Sequence, residues 1–312
     1  IGSYHPSSNQ KLILIPTFVN AHTHIGDAFI RKKNISIPND IKQLVAPPDG
    51  LKHVLLRNTN LQEIIAGINQ GLKELRQEGT TTFVDFRENG LKGINILKEA
   101  LKQNPINAII LGRPEDMNSS EKTITSILKN SDGIAISSMQ DYSYDEVVSL
   151  AELTKKANKM FALHVSERIR EPIQPIINLH PNFIVHMTQA SKKDLQQIKH
   201  KEIPIVVCPR SNHFFGMKPN IKLMKEIGNI ILLGSDNFMV HLPSILNEIR
   251  YIQTHFPNVF SLEELFHLVT YQARKALNLK DNIPGSTFPR SWIAIDPDTY
   301  QIKTLLEKVE EG

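Results

Sequence analysis

The stretch "KLILIPTFVNAHTH" (residues 11–24) frames the fold question, because a β-rich apolar run leads straight into two histidines one residue apart. Read as a strand over 12–19, the run sends alternate side chains to opposite faces, so residues two apart point the same way. His22 and His24 then converge on one point in space. What the run lacks is equally informative. A doubly wound sheet that binds a dinucleotide places a glycine-rich turn after its first strand, and "PTFVNAHTH" has none. The histidine pair alone remains a weak motif, since neighbouring histidines are common and many simply face solvent.

Similar runs recur downstream: "TTTFVD" (80–85), "NAIILG" (107–112), "GIAIS" (133–137), "MFALHV" (160–165), "FIVHM" (183–187), "PIVVC" (204–208) and "NIILLGSD" (229–236). Each is continuously apolar, as expected of parallel strands covered on both faces. Amphipathic stretches separate them. In residues 60–79, Ile64, Ile65, Ile68, Leu72 and Leu75 share one helical face, and residues 93–103, 143–159 and 191–200 carry similar patterns. Gly79 and Asn104 stand where helix C-termini belong, and Asp145 and Ser191 are N-cap candidates. Strand and helix alternating eight times predicts an α/β fold, a (β/α)8 TIM barrel, over residues 15–281. The ends, 1–14 and 282–312, are expected to form part of a small β-domain around "SWIAID" and "TYQIK", with Trp292 as a packing residue.

Composition narrows the class. The chain of 312 residues is 40% hydrophobic and 22% charged, the balance of a globular protein rather than a disordered one. Net charge is only +4, and the densest basic clusters, "RKK" (31–33) and "SKKD" (191–194), do not alternate with aromatic residues as a nucleic-acid surface would. No apolar run approaches the roughly 20 residues that cross a bilayer. The lone Cys208 excludes an internal disulfide and fits a cytoplasmic setting. The start at Ile1, without a methionine, fits a chain that has lost leading residues.

In a barrel of this type, chemistry sits at the C-terminal ends of the strands. Four of the twelve histidines fall there: His22 and His24 after the first strand, His164 in "ALHVSE" and His186 in "FIVHM". Asp236 ends the eighth strand in "LLGSDN". Taken singly, His164 or His186 reads as a core histidine bonded to a backbone carbonyl. Gathered on one rim, the four histidines and Asp236 offer nitrogen and oxygen donors of the kind that Zn²⁺ or Fe²⁺ accepts.

"PTFVNAHTH", "HVSE", "IVHM", "VVCPRSN" and "LLGSDN", in that order, resemble the amidohydrolase superfamily, in particular its branch of cytosine, guanine and S-adenosylhomocysteine deaminases and triazine hydrolases. The similarity runs from Pro16 to the helix "ELFHLVTYQARKALNL". The resemblance implies one divalent metal per chain, zinc first and iron as the alternative, held by His22, His24, His164 and Asp236. Members with two ions carry a carbamylated lysine on the fourth strand, and "DGIAISSMQ" (132–140) has none. His186 would then orient the attacking water, or act as a fifth ligand.

The implied chemistry is deamination of a nitrogen heterocycle by metal-bound hydroxide, because a bound divalent ion lowers the pKa of water from near 16 to about 7. Asp236 can take the released proton. Glu167, three residues past His164, is the candidate acid that protonates a ring nitrogen and then the departing amine; its alternative reading is a helix-start glutamate favoured by the macrodipole. Expulsion of chloride or an alkylamine, or opening of a cyclic amide or amidine, would use the same residues. A catalytically silent barrel acting as an assembly subunit is the reading from another class, and it gives no reason to keep ligands, acid and His186 together.

Substrate contacts are sought in the loops. The longest, from Ile25 to about Asn58, reads as a lid or binding segment, with His53 expected at its surface. Arginines gather past the strand ends at Arg87, Arg113, Arg168, Arg170 and Arg210, and one or two of them, Arg87, Arg113 and Arg210 foremost, are candidates to hold a carboxylate or phosphate on the small-molecule substrate. Acidic neighbours such as Glu88, Glu115, Asp116 and Glu171 offer them a purely structural role instead. Asn212 and His213 are further pocket candidates. The family resemblance also implies a homodimer.

Overall fold

At Thr17 the chain passes from one sheet to another. The computed structural model describes residues 2–4, 12–46, 48–115, 119–279, 291–296, 299 and 301–307. Strands β1 (Gly2–Tyr4) and β2 (Leu12–Pro16) belong to a small antiparallel sheet, whereas β3 (Phe18–His24) opens the barrel. The run 12–19 is therefore two strands rather than the single one expected. Thr17 N donates to Ser291 O on the small sheet and Phe18 N to Gly79 O on the barrel side, which splits the backbone hydrogen bonding between two partners.

The barrel continues through β4 (Thr80–Arg87), β5 (Asn107–Gly112), β6 (Gly133–Ile136), β7 (Met160–Val165), β8 (Phe183–His186), β9 (Ile205–Val207), β10 (Ile231–Leu233) and β11 (Asp236–Asn237). Neighbours pair in parallel in chain order, and β11 returns to pair with β3, placing Asp236 opposite Thr23 and Asn237 opposite His24. This closes the TIM barrel. The eighth strand, expected to be continuous over 229–236, is broken between β10 and β11. At the break a Cβ on Gly234 would lie 2.7 Å from His22 Cβ, so only glycine lets the two strands approach this closely. Asn20 clamps Ser235 by donating to its Oγ at 2.7 Å and accepting from its N–H at 3.0 Å.

The small sheet is completed by β12 (Ser291–Ile295) and β13 (Ile302–Glu307), in the order β1-β2-β12-β13. Trp292 lies in β12, opposite Pro16. The expected limits of this unit at 282–290 lie outside the described residues.

Helices cover the outside. The helix Leu61–Gln77 buries Ile64, Ile68, Leu72 and Leu75, is capped by Asn60 and ends before Gly79 at φ +76°. The helix Tyr144–Lys156 starts at Ser143, not at Asp145, because Ser143 and Glu146 form a reciprocal capping box; Ser191 and Asp194 do the same for Lys192–His200. Among the described residues no helix is long and apolar enough to cross a membrane. Inside the barrel Val19, Ala21, Val84, Phe86, Leu111, Ala162, Val185 and Val206 pack together below the mouth.

Candidate metal centre and active site

A bulge aims the first two histidines. The register of β3 against β4 slips by one residue between Asn20 and Thr23, and such a slip changes which residues share a face. Ala21 therefore packs in the interior while His22 and His24 turn toward it as well, His22 edge-on against Phe86 with ring centroids 4.5 Å apart. His164 arrives at the end of β7 and His186 at the end of β8, where φ is +78°. Asp236 opens β11 at φ +58°. Two non-glycine residues in this costly region, both on one rim, are the kind of strain that clusters at functional sites.

The donor atoms of His22, His24, His164 and Asp236 all lie within 4.8 Å of one another. Nε2 of His164 is 3.2 Å from Nε2 of His22 and 3.4 Å from that of His24. Asp236 Oδ1 is 3.3 Å from the first of these rings and 3.5 Å from the second. Their proton placement follows from the outer partners. His164 Nδ1 faces the carbonyl of Ile136 at 3.2 Å, an acceptor only, so Nδ1 carries the proton and Nε2 a lone pair. His24 Nδ1 donates to Glu88 Oε1 at 2.9 Å with the same result. Lone pairs aimed at each other cannot hydrogen-bond. They fit a cation between them, and donors about 2.0–2.1 Å from a tetrahedral zinc stand roughly 3.3 Å apart.

Electrostatics agree with this assignment. Burial pushes the His22 ring down to about 4 and that of His186 to about 3, and holds His164 well below its ordinary value. All three are neutral at pH 7, the form in which imidazole ligates. Burial opposes the charge of Asp236, yet its bond to His22 and the surrounding rings keep its carboxyl well below the usual range. Its second oxygen, Oδ2, accepts from Ser211 Oγ and from Asn237 Nδ2 at 3.0 Å.

Beside this set stand His186 and Glu167, the Nε2 of one 3.4 Å from Oε1 of the other. The turn carrying Glu167 is pinned by Glu171, which accepts from Ser166 N at 2.5 Å and from Ser138 Oγ at 3.0 Å. Burial, then the negative charges of Asp236 and Glu171, raise the Glu167 carboxyl well above its ordinary pKa. A cavity of about 520 Å³ opens over these groups, with His24, His164, Glu167, His186 and Asp236 in its lining. The loop after β3 supplies one wall through Ile41, Val45, Ala46 and His53. His53 is 9% exposed and turned inward, contrary to the surface position expected, because its Nε2 bonds Val45 O at 3.1 Å.

The other expected substrate contacts divide. Arg113 lines the cavity, and its side chain has no ion pair or hydrogen bond among the described residues. Arg168 lines it too. Arg87 instead lies buried, with Nη2 2.9 Å from Glu88 Oε2 and Nη1 3.5 Å from Asp85 Oδ2. Arg210 is spent on Glu248 and the carbonyl of Leu242. Asn212, fully buried, sets its amide 3.2 Å from His186 Nδ1, beneath the site rather than in the cavity. His213 is exposed and packs against Tyr251 and His255. Arg170 pairs with Asp194, and Asp116 lies outside the described residues. Sequence reasoning missed Ser211 and cast Glu88 only as a partner for arginine, although Glu88 follows a strand end just as Glu167 does; Lys52 gave no signal at all.

The profile of the amidohydrolase family matches residues 13–283. An uncharacterized protein of Methanocaldococcus jannaschii is 34% identical over 295 residues, covering 87% of this chain and 75% of its own. A 5-methylthioadenosine/S-adenosylhomocysteine deaminase of Pyrococcus abyssi is 22% identical over 330 residues, 92% of this chain and 74% of its own. Among solved structures, a zinc-bound adenosine deaminase of Xanthomonas campestris superposes with a TM-score of 0.74 at 15% identity, covering 95% of this chain and 79% of that one. The aminofutalosine deaminase of Helicobacter pylori, in complex with methylthio-coformycin, gives 0.72 at 17%, with coverage of 95% and 86%. With strand order, rim and profile in agreement, this chain belongs to the amidohydrolase family.

Proposed function

We propose that the protein is a mononuclear metal-dependent aminohydrolase that deaminates a nitrogen heterocycle such as a purine, a pyrimidine or an adenosyl compound. The observation that carries this reading is the convergence of His22, His24, His164 and Asp236 beside Glu167, at one cavity that all of them but the buried His22 line. Those four residues would hold the ion. When bound, a divalent metal supplies Lewis acidity that brings water to a pKa of about 7.

The rest falls to the chain's own groups. Glu167, kept protonated, donates from its carboxyl to a ring nitrogen of the substrate and makes the adjacent carbon electrophilic. His186 Nε2, with its ring fixed at Nδ1 by Asn212, orients the water that adds to that carbon. Asp236 Oδ1 takes the proton released as the C–O bond forms, while Ser211 and Asn237 hold Oδ2 still. Glu167, left as a carboxylate, relays that proton from Asp236 to the exocyclic nitrogen and recovers its own from the added hydroxyl; the C–N bond breaks, and ammonia leaves with a carbonyl in its place. Ring-nitrogen protonation suits a heterocycle better than an exposed amide.

Arg113 is the candidate for a substrate anion. It lines both the cavity over the donor set and a second one of about 750 Å³, with His53 and Asp141 also shared between them. The relatives named as deaminases of adenosyl compounds support this class of substrate. The deciding experiment loads the protein with zinc or iron and screens purines, pyrimidines, adenosyl compounds and triazines for release of ammonia. Release of chloride or an alkylamine alone would move the reading to another hydrolase reaction, and no turnover of any kind would remove it.

A further inference from the structure

Lys52 is a buried ammonium, 2% exposed, on the helix Leu51–Asn58 of the loop after β3. Its Nζ lies 2.6 Å from Glu88 Oε1 and 3.4 Å from Asp27 Oδ2. Each of those carboxylates holds a different part of the donor set. Glu88 accepts from His24 Nδ1. Asp27 Oδ1 accepts the backbone N–H groups of Phe238 and Met239, both at 3.0 Å, just past Asp236. Asp27 Oδ2 is buried with no hydrogen-bond partner among the described residues, so Lys52 is what faces it.

The two cations that meet Glu88 arrive differently. Arg87 is fixed by the scaffold: it neighbours Glu88 in the chain, and its guanidinium occupies the space a Cβ on Gly26 would need. Lys52 is delivered by the excursion that also walls the cavity through Val45, Ala46 and His53. One ammonium therefore touches the supports of His24 and Asp236 and the wall that would meet substrate.

We propose that Lys52 is a positioning residue: through Glu88 and Asp27 it sets the aim of His24 and Asp236, and it registers the cavity wall to that same point. This rests on the metal-site reading above. Removing the ammonium leaves Glu88 held by Arg87 alone, at Oε2 rather than at the oxygen that His24 bonds, and leaves Asp27 free to release the 238–239 backbone. A ligand supported by an outer carboxylate typically loses 10–100-fold in metal affinity when that support is lost.

The test is titration of the metal-free full chain with Co²⁺, read by visible absorption and by chelator competition, for wild type and Lys52→Met. Expected is a 10–100-fold weaker Co²⁺ affinity with an altered absorption band, and, for any substrate found, a raised KM as well as a lowered kcat. Wild-type affinity and band in Lys52→Met would overturn the proposal. If Lys52→Met does not fold, the double variant Lys52→Met/Asp27→Asn, which removes the unmatched carboxylate, carries the same measurement with the same two outcomes. Wild type that binds no Co²⁺ would instead refute the metal-site reading itself.

Discussion

His186 Nε2 and Glu167 Oε1 stand 3.4 Å apart, a neutral ring beside a carboxyl whose pKa is pushed well upward. The pair can hold one proton between them at a pH where an ordinary glutamate has lost its own. Replacing Glu167 by Gln keeps the shape and removes the acid. kcat should fall about 10²–10⁴-fold with metal content unchanged. Under the proposed mechanism the active form is the protonated carboxyl, so activity should decline as pH rises through that elevated pKa. The variant's residual rate should lack this basic limb, and a pH–rate profile of each checks it.

Metal analysis tests the donor set directly. Wild type expressed with zinc or iron should carry about one equivalent per chain, as a single donor set implies. His164→Asn should lose most of it, because the carbonyl of Ile136 leaves His164 Nε2 as a committed lone pair. Retention of a full equivalent in that variant would show that the ion sits elsewhere.

Two arginines that look alike in the sequence should behave differently. Arg113→Ala should raise KM by about tenfold or more with a smaller effect on kcat, as loss of a charge-assisted contact does. Arg210→Ala should act on stability instead, since it leaves buried Glu248 without its cation. Steady-state kinetics and denaturation of both variants separate the roles.

His53 gives a stability signature. Burial first, then the charges of Arg113 and Lys52, depress its ring to about 4. Between about 4 and 6.5 the unfolded chain binds a proton there that the folded chain refuses, so stability falls as pH falls through that window. The group's share is at most about 3 kcal/mol, lost by pH 4. His53→Gln should shrink the loss between pH 7.5 and 4.5, measured by chemical denaturation with chelator in both cases.

Gly234→Ala places a methyl 2.7 Å from His22 Cβ and 2.9 Å from the His22 carbonyl oxygen. Overpacking of this kind costs about 1–3 kcal/mol, and the displaced backbone is that of His22, a donor in the proposed metal site. Thermal unfolding and zinc affinity should both drop.

The barrel was legible because eight apolar runs alternate with helical patterns, and the rim because His22, His24, His164, His186 and Asp236 each end such a run. What failed shares one cause: contacts between segments distant in the chain. Periodicity cannot show that Thr17 changes sheets, that Arg210 is held by Glu248, or that Asn212 lies under His186. Lys52 was invisible for the same reason, since nothing local marks a helical lysine whose partners lie 25 and 36 residues away.

Because Asp236 takes its register from β3, the earliest and latest donors of the chain become neighbours only when the last strand meets the first. If these residues hold the ion as proposed, its capture has to wait for the ring to join. Metal uptake during refolding should report the final topological event, and a chain halted before Gly234 should present three histidines without the clasp that gathers them.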